Sequence, residues 1–136
     1  MKGSAHMGRY LNPGNDAFAE IVKDNYVDKT GILEILNSAI NTTNKLICVS
    51  RPRRFGKSYA AKTICAYYDC STDSHELFDG LDISKAPQYE ENINKYNVLR
   101  LDMTEIVSRF NIEDSNTGDL VKDLCLYIKK DIGELY

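Results

Sequence analysis

"KLICVS" at residues 45–50, followed by "RPRRFGKS" at 51–58, is the stretch of sequence that decides the fold. The first six residues form a short apolar run that is rich in β-branched side chains and ends in polar residues, which predicts a buried strand. From Ser58 onward the pattern changes to that of a helix. Its apolar face would consist of Ala60, Ala61, Ile64, Cys65 and Tyr68. The loop 51–58 is therefore expected at a strand-to-helix junction.

The rest of the chain predicts more helices and one more strand. Apolar spacing predicts helices over 16–23, 32–40 and 120–136, with short helices at 75–78 and near 89–96. Thr30 could cap the helix over 32–40. The run "NVLRLDM" at 97–103 predicts a second strand. This order of elements is typical of an α/β fold, in which helices flank a parallel sheet.

Two strands are too few for a parallel sheet that is covered on both faces. The last helix also reaches Tyr136 without a stop signal. We therefore expect residues 7–136 to form the incomplete N-terminal half of a larger α/β domain. Residues 1–6, "MKGSAH", resemble a cloning remnant placed ahead of a native start at Met7.

The loop ends in Gly56-Lys57-Ser58, as does the phosphate-binding pattern Gly-x-x-x-x-Gly-Lys-Ser/Thr, although Arg51 stands where that pattern has its first glycine. A glycine lets the backbone approach a phosphate closely, and the amides at a helix start attract anions. Lys57 would stabilise charge on the β- and γ-phosphates of ATP, and the Ser58 hydroxyl would bind Mg²⁺. The alternative is that Ser58 only caps the helix beside a solvated lysine.

The arginines beside this motif are open to three interpretations. Arg51, Arg53 and Arg54 could bind phosphate oxygens bidentately, form a nucleic-acid-binding patch, or pair with acidic neighbours in solvent. Pro52 would stiffen the loop. The candidate nucleotide-binding residues of this segment are Arg51, Pro52, Arg53, Arg54, Phe55, Gly56, Lys57, Ser58 and Tyr59.

Composition limits the classes of function. A chain of 136 residues suffices for one domain, and a net charge of −3 argues against general attraction to nucleic acid or to anionic membranes. No apolar run is long enough to span a membrane, and no signal peptide is evident. The four cysteines form no zinc spacing with His6 and His75. We expect Cys48, Cys65 and Cys125 to be buried free thiols in a reducing, cytoplasmic setting.

At these residues the chain resembles a known family. "RPRRFGKS" after a short apolar strand is similar to the predicted AAA-ATPase-like family of bacteria and archaea, whose members often carry a C-terminal domain similar to PD-(D/E)XK nucleases. Three further segments match in order: "YVDKT" at 26–30, "LFDGLDI" at 77–83 and "NVLRLDM" at 97–103. The resemblance implies a P-loop ATPase fold with a catalytic aspartate and glutamate on a later strand, in a segment like "LIDEYD". This sequence contains no such segment, so hydrolysis by this chain stays open and a nuclease activity is not expected.

Two further positions are candidates on the basis of this resemblance. Residues 26–32 would form one wall of a pocket for the adenine base, with Tyr26 among the nucleotide contacts. Alternatively, Tyr26 and Val27 belong to the core, and Asp28 and Lys29 form a weak surface pair. Asp102 is a candidate Mg²⁺-associated carboxylate, although a local capping role at the end of a strand is the simpler interpretation.

The leading hypothesis is a nucleotide-binding ATPase module that uses ATP and Mg²⁺ at 51–58. The alternative is a nucleic-acid-binding module that uses the three arginines. Nucleic acid is also a possible partner through the parent protein. A third possibility is an inactive piece that associates with itself through an unfinished sheet or its last helix. No membrane partner is expected.

Overall fold

The computed structural model describes residues 10–50, 52, 56–112 and 119–135, and these residues form helices joined by turns and extended segments. The α-helices, in chain order, are α1 (Asp16–Lys23), α2 (Gly31–Ala39), α3 (Lys57–Tyr68), α4 (His75–Phe78), α5 (Tyr89–Asn92), α6 (Met103–Ile112) and α7 (Leu120–Leu135). A 3-10 helix, Asp82–Lys85, lies between α4 and α5.

The prediction of an α/β fold with a parallel sheet is wrong. Over the described residues the only β-type pairings are two isolated bridges, an antiparallel one between Leu11 and Leu99 and a parallel one between Asp69 and Tyr96. Neither bridge extends into a ladder, so the described chain is helical and has no sheet. The P-loop NTPase-like sheet architecture is therefore not the architecture of this structure.

The two predicted strands fail for different reasons. Residues 45–50 have no regular secondary structure and are exposed, with Leu46 at 92% exposure, and no described segment pairs with them. A single strand without a partner leaves its backbone groups to water. The segment 97–103 does pair briefly, because the Asn12 amide donates to the Val98 carbonyl at 2.7 Å and the Arg100 amide to the Tyr10 carbonyl at 2.8 Å. It then turns into α6, which the sequence pattern did not predict.

The helix predictions are largely confirmed. The helices α1, α2, α3 and α7 lie where apolar spacing predicts them, and the short helices α4 and α5 are also present. Thr30 occupies the cap position of α2, but its side chain makes no capping hydrogen bond to that helix. Of the described helices, none combines the length and apolarity that crossing a membrane would need.

The core forms around the C-terminal half of α3. The rings of Phe18 and Phe78 stack at 4.8 Å between centroids, and the Tyr67 ring meets Phe78 edge-on at 5.4 Å. Burying a side chain of this size stabilises a fold by roughly 1.5–3 kcal/mol. The buried members of the cluster are Phe18, Leu33, Ala66, Tyr67, Tyr68, Phe78, Ile83, Tyr89 and Ile93. This core anchors α3 from its middle to its C-terminal end.

The expectation for the cysteines holds only in part. All four are free thiols, but Cys65 alone among them is buried, and Cys48, Cys70 and Cys125 are exposed. Cys65 lies on the half of α3 that packs into the core. Cys48 is exposed because the strand predicted around it does not form.

Candidate functional site

The helix after the motif begins at a left-handed glycine. Gly56 has φ 82° and ψ 21°, occupies the cap position of α3, and accepts the first helical hydrogen bond from the Ala60 amide at 2.9 Å. This backbone conformation favours glycine strongly, because a side chain would be strained there. Ser58 is therefore the second residue of the helix and not its cap. The amides at 57–59 have no acceptor within the helix.

The two halves of α3 lie in different environments. Lys57, Ser58 and Tyr59 are exposed, whereas Thr63 and the residues from Cys65 to the end of the helix are buried. The first turn therefore faces solvent on a helix that the core holds in place. An anion from solvent can therefore reach the unpaired amides of this turn and the positive end of the helix dipole.

A cavity of about 380 Å³ lies beside this helix end, with Gly56 in its lining. Such a volume falls within the range of ligand pockets, about 300–1,000 Å³. Tyr26, Val27 and Ile32 line one part of the cavity, and Tyr59 and Thr63 of α3 line another. The structure thus brings the predicted base-binding segment 26–32 and the start of the Gly-Lys-Ser helix to one cavity.

Tyr26 belongs both to this cavity and to the core. Its ring meets the buried ring of Phe18 edge-on, with 5.7 Å between centroids, while its hydroxyl accepts a hydrogen bond from the Lys29 amide at 3.4 Å. Burial raises the pKa of the Tyr26 hydroxyl above its ordinary value of 10.0, and the nearby Asp28 carboxylate adds to the effect. The ring is therefore a neutral, fixed surface on which a flat group could stack.

Charged side chains of both signs surround the cavity. Lys29 and Lys62 line it, and so do Glu20 of α1 and Asp24 directly after α1. The Lys62 ammonium lies 5.7 Å from the centroid of the Tyr59 ring, a cation–π distance. Lysines can bind phosphate, whereas carboxylates can accept hydrogen bonds from hydroxyl groups such as those of a sugar.

Asp102 lies elsewhere. It does not line the cavity; its carboxylate accepts a hydrogen bond from the Glu105 amide at 3.1 Å, and its carbonyl accepts one from the Ile106 amide. Asp102 thus begins α6, in agreement with the local capping interpretation. Across the described residues, no group of three or more His, Cys, Asp and Glu side chains is arranged to hold a metal ion. A role for Asp102 with Mg²⁺ stays a prediction.

Several candidate residues cannot be placed. Four residues of the loop lie outside the described residues: Arg51, Arg53, Arg54 and Phe55. Pro52 is described and is exposed. The alternative that uses the arginines on nucleic acid is therefore untested.

Sequence reasoning missed part of the cavity. Glu20 and Ile21 of α1 and Asp24 directly after it line the cavity, although they precede the Gly-Lys-Ser motif by more than thirty residues, and no spacing in the sequence indicates this contact. Lys29 belongs to the predicted pocket wall 26–32 and does line the cavity, whereas the alternative interpretation paired it with Asp28 at the surface. In the structure the Asp28 carboxylate instead accepts hydrogen bonds from Thr30 and from the Asp82 amide.

Comparison with known proteins supports the resemblance seen in the motifs. A family model described as "Predicted AAA-ATPase" matches residues 13–131, which includes the Gly-Lys-Ser motif, the segment 26–32 and the segment 77–83. Neither a curated protein nor a solved structure matches the chain. Because the family model spans most of the sequence, this chain belongs to the AAA-ATPase-like family of predicted AAA-ATPases.

Proposed function

We propose that the chain binds a nucleoside triphosphate, with its phosphates at the start of α3 and its base in the adjoining cavity. The observation that carries this proposal is that Gly56, left-handed at the cap of α3, lines the same cavity as Tyr26 and Tyr59. Membership of a family of predicted ATPases supports a nucleotide as the ligand. The proposal uses the helix side of the loop and requires no strand before it.

Each residue of the motif has a role in this proposal. The amides at 57–59 would donate to phosphate oxygens, and the exposed Lys57 ammonium would contact the β- and γ-phosphates. Ser58 is also exposed, and its hydroxyl would be a ligand of Mg²⁺. Mg²⁺ usually binds through one or two carboxylates, substrate phosphates and water, and in P-loop proteins a Ser or Thr of the loop is also a ligand. When bound, Mg²⁺ would neutralise charge that builds up on the phosphates.

Titration with a fluorescent ATP analogue in the presence of Mg²⁺ tests the proposal. Lys57→Ala should weaken binding by roughly 10- to 100-fold, because charge-assisted hydrogen bonds contribute about 1.5–3 kcal/mol and 1.4 kcal/mol is tenfold in affinity. The matched control is Lys95→Ala, which removes another exposed lysine that does not line the cavity. Removing Mg²⁺ with EDTA should weaken binding to the unaltered chain more than binding to Ser58→Ala.

Two results would contradict the proposal. One is that the unaltered chain does not bind the analogue. The other is that Lys57→Ala and Lys95→Ala bind it with equal affinity while both remain folded by circular dichroism.

A further inference from the structure

Two segments that resemble the family, 26–30 and 77–83, are joined in the structure, although only 26–30 lines the site described so far. The Asp28 carboxylate accepts hydrogen bonds from the Asp82 amide at 2.7 Å, the Thr30 amide at 2.8 Å and the Thr30 hydroxyl at 2.7 Å. The Thr30 hydroxyl in turn accepts one from the Ile83 amide at 3.2 Å. Thr30 is fully buried, and Ile83 belongs to the core. We call these four hydrogen bonds the Asp28–Thr30 clamp.

The clamp fixes the backbone on both sides of Lys29. Lys29 is exposed and lines the cavity, and its Nζ lies 3.4 Å from the position that a Cβ on Gly56 would occupy. The ammonium group therefore lies at the point where the left-handed glycine opens α3. A side chain twenty-seven positions away in sequence is thus held beside the proposed phosphate position by the tertiary structure.

A surface ion pair does not account for the position of Lys29. Its neighbour Asp28 accepts its hydrogen bonds from Thr30 and Asp82, and Lys29 makes no ion pair with any residue that the structure describes. Glu20 and Asp24 line the same cavity without pairing with it. An ammonium group beside a helix N-terminus is mildly repelled by the helix dipole, and an anion bound between the two would replace this repulsion with attraction to both.

We propose that Lys29 is a second phosphate-binding cation of the nucleotide site and that the Asp28–Thr30 clamp positions it. This inference rests on the proposed nucleotide binding at α3. It gives the segment 26–30 a role in binding phosphate as well as in lining the base pocket. A lysine on each side of the phosphates, Lys29 and Lys57, would bind a triphosphate more tightly than either lysine alone.

The test compares Mg²⁺-ATP binding by four chains: the unaltered protein, Lys29→Ala, Lys29→Arg and the control Lys95→Ala. We expect Lys29→Ala to weaken binding about tenfold, Lys29→Arg to stay within about threefold, and Lys95→Ala to leave it unchanged. The affinity of the unaltered chain should also fall more steeply with added salt than the affinity of Lys29→Ala, because the variant has one fewer cation in contact with the phosphates. Lys29 is exposed, so these variants should fold, which thermal melting would check.

A double-mutant cycle tests the clamp. Asp28→Asn places an amide donor against the Asp82 or Thr30 donors, which disrupts the clamp, and Thr30→Val is a second variant that removes its hydroxyl. Either change should weaken ATP binding in the unaltered background and have no further effect in the Lys29→Ala background. Equal losses in both backgrounds would show that Asp28 and Thr30 do not act through Lys29.

The outcomes separate the two proposals. If ATP binds and Lys57→Ala weakens it while Lys29→Ala equals Lys95→Ala, the role of Lys29 is refuted and the nucleotide site stands. If the unaltered chain binds no ATP, both proposals are refuted.

Discussion

Leu33 and Leu46 are thirteen residues apart and lie in segments predicted as a helix and as a buried strand, but their environments are opposite. Leu33 on α2 is fully buried, whereas Leu46 in the predicted strand is 92% exposed. The helix α2 satisfies its own backbone and needs only one apolar neighbour, which the core around α3 supplies. The segment 45–50 needs a second strand for its backbone, and the described chain does not supply one. An apolar run is buried only where a partner exists.

The last helix, α7, also shows that apolar spacing alone does not decide which residues are buried. Its predicted apolar stripe includes Val121 and Ile132, which are 68% and 43% exposed. Two carboxylates of the helix, Asp123 and Asp131, are buried instead. Asp131 accepts hydrogen bonds from the Tyr10 and Leu11 amides at 2.9 and 2.7 Å, so a polar contact with the start of the described chain orients α7.

The largest expected effect tests this contrast directly with a pair of matched leucines. Leu33→Ala should lower the free energy of unfolding by about 2–5 kcal/mol, because it removes buried methyl groups and leaves a cavity. Leu46→Ala should change it by about 0.5 kcal/mol or less, as exposed substitutions do. Urea denaturation of both variants measures the difference.

If Leu46→Ala proved as destabilising as Leu33→Ala, the segment 45–50 would be buried in solution. The contrast between the two regions would then be wrong.

A smaller effect is expected at a buried polar network inside the packed region. The Asn37 side chain donates to the Tyr67 hydroxyl at 3.0 Å and accepts from the Tyr68 hydroxyl at 2.7 Å. Asn37→Ala should cost roughly 1–3 kcal/mol, because it leaves the buried Tyr68 hydroxyl without its acceptor, whereas the Tyr67 hydroxyl still donates to the Tyr89 carbonyl at 3.3 Å. The neighbouring Ser38→Ala, at an exposed position of the same helix, is the matched control. Thermal or urea unfolding that shows equal stability for the two variants would indicate that water replaces the network.

The smallest effect should be a pH dependence at the surface, around His75. Hydrogen bonding to the Asp73 carboxylate at 2.6 Å raises the pKa of His75 above 6.5; its slight burial opposes this, and the Glu90 carboxylate adds to the rise. Because the folded pKa lies above the unfolded one, the stabilisation is complete below about pH 6.5 and is lost as pH rises through the folded pKa.

NMR titration of the His75 ring, with Asp73→Asn as the control, checks this prediction. The control should return the His75 pKa towards its ordinary value. An unshifted pKa in the unaltered chain would refute the ion pair.

Local physics explains which predictions succeeded. The helices α1, α2, α3 and α7 follow from apolar spacing, because a helix forms all its hydrogen bonds within one segment. The start of α3 at Gly56 follows from the freedom of glycine to adopt positive φ. Strands depend on distant partners, so apolar runs at 45–50 and 97–103 could not predict whether a sheet forms.

The sequence by itself determined the helices α1, α2, α3 and α7, the glycine that opens α3, and the family, through patterns and motifs that are contiguous in the chain. Only the tertiary structure decided that no sheet forms in the described chain and that α1 lines the cavity. It also decided that Lys29 lies beside Gly56. The physical reason is that helix propensity and glycine geometry act between near neighbours, whereas strand pairing, burial and a shared cavity depend on contacts between residues far apart in sequence.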